Sequence, residues 1–196
     1  MNLLLTIEAI ISLHQASIIS WQESKIILCQ AGFLSLVEKN HACNYQLWHA
    51  EDKARRDDLG YEFVYHAKRE IDDCNQQRNN HMEAMDQWLF VALHPAAAHL
   101  CPTHSETPGM IIDRLSILAL KVYYMHRQTK RLDVNAKHIS SCKLKWQSLT
   151  QQQQQLFTCL KIFIKEVLDK TRRFNIYYQY KMYNDPNLNP ELYNSQ

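Results

Sequence analysis

The sequence predicts an all-α fold: a single-domain bundle of four long helices, with a short N-terminal helix and a C-terminal aromatic arm. Two observations carry this. Apolar residues recur at spacings of three and four along four long stretches, the period of one helix face. Strand-and-turn folds need glycine and proline at their corners, yet these number only three and five in 196 residues. That length supports one sizeable core and gives no ground for a second domain.

Residues 1–20 read as a helix that docks on the body, with Ile7, Ile10, Ile11 and His14 on one face. Glu8, His14 and the lack of a basic start or small-residue cleavage site argue against a secretory leader. No run is expected to reach the ~20 apolar residues of a membrane span. Residues 24–170 form the bundle. Its first long helix is expected from Ser24 to Arg56, along the seam Ile27, Gln30, Leu34, Val37, His41, Asn44, Trp48, Glu51 and Arg55. The second runs from Leu59 to Leu93, along Val64, Lys68, Ile71, Asn75, Arg78, Met82, Met85 and Leu89.

A loop follows, marked by Pro95 and Pro102. It carries His94, His99, Cys101 and His104, whose spacing matches no common zinc pattern, so it is read as facing solvent. The third helix opens at Thr107-Pro108-Gly109 and ends near Gln128. Thr107 suits the N-cap, Pro108 the first turn, and Gly109 leaves backbone amides uncovered for an anion. The fourth runs from Asp133 to Lys170, with Cys142, Trp146, Gln153, Leu160, Phe163 and Val167 on its seam. The glutamines 151–155 within it read as an exposed face. Residues 171–196 form the arm, where Phe174, Ile176, Tyr178, Tyr180 and Met182 alternate as in an extended chain packed on its own bundle or on a partner.

A formal charge of +2 is too balanced for a nucleic-acid binder. Six cysteines without framework spacing read as reduced thiols in a cytoplasmic protein.

The seams turn polar where a core should continue. Asn44, Trp48, Glu51, Asp52 and Arg55 follow the apolar start of the first helix; Asn75 and Arg78 interrupt the second, with Asn79 on the adjoining strip. Asp113 and Arg114 sit in a third helix that is otherwise apolar on nearly every side. Buried charges need partners, so these groups are expected to converge in one polar pocket. The expected function is binding or processing of a small phosphorylated ligand, a nucleotide or nucleotide sugar. Arg78, Arg114 and the amides of Thr107 to Gly109 take the anion. Glu51, Asp52 and Asp113 orient the arginines or hold a divalent cation such as magnesium, and Trp48 stacks on a base or sugar. Catalytic residues are not assigned, and whether the protein is an enzyme stays open. One alternative is a buried network that fixes helix register in a non-enzymatic interaction protein. Another is an enzyme like the helical nucleotide pyrophosphohydrolases, whose E-x-x-D element Glu83 and Asp86 match while the paired E-x-x-E is absent.

Four stretches carry a family resemblance: NYQLWHAEDKAR (44–55), IDDCNQQRNNHMEAMD (71–86), SETPGMIIDRLSILALK (105–121) and YKMYNDPNLNP (180–190). Through them the chain resembles a bacterial family catalogued as domain of unknown function 4254. The resemblance implies an all-helical protein encoded beside glycosyltransferases and other genes of surface-polysaccharide synthesis. It implies no reaction. A glycosyltransferase, or a second copy held through the arm, is the partner this suggests. His41-Ala42-Cys43 before Asn44 departs from the family's bulkier pattern there.

Overall fold

A computed structural model describes residues 3–180 and 182–193. Met1, Asn2, Lys181 and residues 194–196, which fall in the predicted helix and arm, lie outside them. The chain folds as α1 (Leu3–Glu23), α2 (Gly32–Lys53), α3 (Tyr61–Leu93), α4 (Pro108–Gln128), α5 (Ala136–Leu168) and a short α6 (Pro190–Tyr193). Among the described residues the β-structure is a single parallel bridge, Thr103 to Arg173. The all-α bundle is thus as the periodicity predicts, with α4 in contact with α1, α2, α3 and α5.

The core takes Val37, Met85, Leu89 and Leu160 from the expected seams and adds Phe33 and Ile164 beside them. Ile7 and Ile10 of α1, Phe33 and Val37 of α2, Met85 and Leu89 of α3, Ile112 and Leu115 of α4, and Leu160 and Ile164 of α5 are all fully buried in one cluster. Each such side chain contributes about 1.5–3 kcal/mol. By length and hydropathy α1 (21 residues, with mean hydropathy 1.6 over an 18-residue window) is long and apolar enough to cross a membrane, contrary to the expectation from sequence. In the fold its face of Ile7, Ile10, Leu13, His14 and Ile18 is buried.

The largest difference from expectation lies between α1 and α2. The helix predicted from Ser24 begins at Gly32, and Ile27 and Gln30 sit in the connecting loop, Ile27 at 62% exposure. Glu38, itself buried, accepts the backbone amides of Cys29 (3.0 Å) and Gln30 (2.9 Å). A carboxylate two turns into the helix therefore fixes the entering chain. Gly32 makes the turn at φ +59°, a conformation glycine adopts without strain.

The loop between α3 and α4 is not wholly solvent-facing. Cys101 is buried, and the His104 ring packs 4.3 Å from that of Phe163. The arm docks over its first residues: His104 N donates to Arg173 O (2.8 Å), Arg173 N donates to Pro102 O (3.1 Å), and Phe174 is fully buried. Beyond Ile176 it leaves the core, and Tyr177, Tyr178, Tyr180, Met182 and Tyr183 are exposed, so the alternation at 174–182 does not persist as a buried face. In the glutamine run, residues 151, 152, 154 and 155 are exposed as expected, but Gln153 is buried.

Candidate functional site

The structure separates the single predicted pocket into a closed core network and an open groove, joined at Asn44. The centre of the network is Asp113, 2% exposed. Arg78 approaches it as a fork, Nε to Oδ1 at 2.7 Å and Nη2 to Oδ2 at 2.6 Å. Asn40 and Asn44, one turn apart on α2, donate their Nδ2 groups to Oδ1 at 3.0 and 2.9 Å. This is how the helix tolerates a buried carboxylate: Asp113 is surrounded by donors from two other helices. The hydrogen bonds to Asp113, and then its negative charge, push the Arg78 guanidinium pKa further up against the effect of burial. Asn75 Oδ1 takes a long contact from Arg78 Nη1, 3.4 Å.

The network continues to α1. Asn44 Nδ2 also donates to Ser116 Oγ (3.0 Å), and Ser116 Oγ lies 2.7 Å from His41 Nδ1. His41 Nε2 is 3.1 Å from the carbonyl of His14. That carbonyl only accepts, so Nε2 carries the proton, Nδ1 is bare, and the Ser116 hydroxyl donates to it. His41 is thus neutral, and burial pushes its pKa down to about 3. The His14 ring stacks on it at 4.4 Å, is driven well below its ordinary pKa by burial, and leaves both ring nitrogens buried without partners.

Five of the predicted residues line the groove between α2 and α4, about 390 Å³. Leu47, Ile117 and Leu120 form its apolar part, with Trp48, whose ring stacks on Tyr124 at 4.9 Å and 6°. Glu51, Asp52 and Arg55 line the same groove, Arg55 paired to Glu51 at 2.7 Å. Asn44 lines it too. Its amide nitrogen is committed to the network, while its Oδ1 is buried with no hydrogen-bond partner.

The remaining predicted residues do not join this site. Thr107 caps α4, its Oγ1 accepting from Met110 N at 3.2 Å. The anion expected at that helix start is the protein's own Asp86, which accepts from Gly109 N at 2.6 Å. Burial pushes the Asp86 carboxyl up to about 6, against the opposing pull of its hydrogen bonds to Thr107 and Gly109. Arg114 faces outward and pairs with Glu106 at 2.6 Å, on the side of α4 that faces α5. Asn79 takes part in neither the network nor the groove. The three carboxylates expected to share a cation do not converge, and the described residues hold no cluster of three or more metal-ligating side chains. Glu83 and Asp86, the E-x-x-D pair, each accept a backbone amide, Glu83 from Gln179 at 2.8 Å.

The sequence reading passes over Asn40, leaves His14, His41 and Ser116 outside the site, and takes Asp86 only as half of the E-x-x-D pair. The seam was traced through Val37, His41 and Asn44, which passes over Asn40. Its i, i+4 spacing to Asn44 was the available signal.

The model of the family described as protein of unknown function (DUF4254) matches residues 34–176. The chain belongs to this family. The matched stretch takes in all twelve predicted site residues and ends where the arm leaves the core, before YKMYNDPNLNP; α1 precedes it. No curated protein and no solved structure matches the chain.

Proposed function

We propose that the α2–α4 groove binds a small sugar-bearing ligand of the nucleotide-sugar class, and that the buried network holds the groove wall in register. The observation that carries this is Asn44. It is 3% exposed and lines the groove, yet its Oδ1 has no partner while its nitrogen is fully committed. A buried acceptor left open costs about 1–3 kcal/mol, which a ligand hydroxyl would offset. Trp48, Ile117 and Leu120 offer an apolar surface to a sugar face, and Glu51 and Asp52 accept from hydroxyls. Arg55 is the cation available to a phosphate, because its exposed pair with Glu51 is worth little and is readily exchanged.

The function proposed is binding rather than turnover. Its setting, bacterial surface-polysaccharide synthesis in the cytoplasm, is part of the proposal and rests on the gene neighbours that the family resemblance implies. Thermal unfolding with UDP-glucose, UDP and glucose 1-phosphate tests it. A ligand at ~100 times its dissociation constant adds about 2.7 kcal/mol. The midpoint is expected to rise in wild type and stay put in Trp48→Ala; no rise with any of the three refutes the proposal.

A second reading rests on the arm. Tyr180 and Tyr183 are 79% and 63% exposed, beyond the buried Phe174. Such rings suit a partner contact, with a glycosyltransferase or a second copy. Sedimentation equilibrium of the full chain and of Tyr180→Ser/Tyr183→Ser checks the second-copy form, which requires weaker self-association in the variant.

A further inference from the structure

The five consecutive glutamines of α5, residues 151–155, are unequal. Gln153 turns inward, is 5% exposed, and has its Nε2 buried without a hydrogen-bond partner. A buried donor of this kind calls for an acceptor. Gln153 lines a half-open cavity of about 310 Å³ between α1, α4 and α5, separate from the α2–α4 groove. Tyr123 and His126 of α4, Trp146 of α5, and Ile18 and Ile19 of α1 form its walls. The His126 and Trp146 rings lie 4.9 Å apart at 31°. No Asp, Glu, Lys or Arg lines the cavity.

We propose that this cavity is a second binding site, for an uncharged planar aromatic molecule carrying a carbonyl. The aromatic walls suit a flat ring. An ionised ligand would lose part of its hydration there and find no carboxylate, lysine or arginine to pair with. The Gln153 Nε2 supplies the donor that a carbonyl oxygen satisfies. The volume is that of a small-molecule pocket at the lower end of the usual range. Because α1 provides one wall, occupancy also adds contacts that hold α1 on the bundle.

Nicotinamide and nicotinate are the probes, since they share a ring and differ in carrying an amide carbonyl or a carboxylate. Titration of isotope-labelled protein follows the Gln153 side-chain amide and the Trp146 indole N–H by nuclear magnetic resonance. Nicotinamide is expected to shift both, saturably, in the millimolar range that suits so small a ligand. Nicotinate is expected to bind roughly tenfold more weakly or worse, as is nicotinamide to Gln153→Leu, which keeps the volume and removes the unpaired donor. Absence of a saturable shift at these two groups overturns the proposal. So does equal affinity for nicotinate, a comparison that needs no variant, or an ordered water on Gln153 that nicotinamide does not displace.

Discussion

Arg78 and Asp113 meet as a bidentate pair between α3 and α4, at 2.7 and 2.6 Å, with the carboxylate 2% exposed. Removing Asp113 leaves the half-buried Arg78 guanidinium without its partner. Asp113→Ala also strands the amides of Asn40 and Asn44. It is expected to lower unfolding stability by about 3–5 kcal/mol. Arg78→Met in the same background is expected to restore part of that loss, because it removes the stranded cation. Urea unfolding of the two single variants and the double variant measures the coupling.

The approach of α4 to α3 makes a second prediction. A Cβ on Gly109 would stand 2.6 Å from the Met82 carbonyl oxygen and 2.7 Å from Asp86 Oδ1. The first is backbone and the second is held by its bond to the Gly109 amide, so neither gives way freely. Gly109→Ala is expected to cost about 1–3 kcal/mol, read as a lowered urea midpoint with an unchanged slope.

Stability should also vary with pH in a defined sense. Asp86 is raised from 3.8 to about 6, so between those values the folded chain keeps a proton that the unfolded chain has released. Stability from this group is present at low pH and is lost as pH rises through that window. His41, lowered from 6.5 to about 3, acts oppositely, and His14 shares its direction. There the unfolded chain binds the extra proton, so stability is present above 6.5 and is lost as pH falls. Between about pH 4 and 6 the two histidines oppose Asp86, and together they outweigh it, so these three groups make stability rise with pH. Asp86→Asn keeps an acceptor for Gly109 and is expected to steepen the rise. His41→Asn is expected to flatten it. Unfolding free energies across that range check both signs.

How legible the molecule was in its sequence differs from part to part. Helix identity was legible because Val37, Met85, Leu89, Leu160 and Val167 all kept their seams. The start of α2 was not, since it depends on Glu38 reaching back to Cys29 and Gln30, a contact that no periodicity shows. The polar seam was recognised as unusual. Spacing could not say that Asp113 would draw Arg78 inward while Arg114, its neighbour in sequence, turned outward to Glu106. Consecutive helical residues differ by ~100° in direction, so one buried charge largely commits the next to another face. The helix start at Thr107 did attract an anion as its amides suggest, but Asp86 supplies it from within the fold.

The most direct test of the central claim, that the α2–α4 groove is a ligand site, is a crystal structure determined with UDP-glucose. The account predicts a sugar hydroxyl within hydrogen-bonding distance of Asn44 Oδ1, the ring against Trp48, and Glu51 or Asp52 accepting from a further hydroxyl. UDP-glucose bound elsewhere, or a groove holding only ordered water on Asn44 Oδ1 at saturating UDP-glucose, would contradict it.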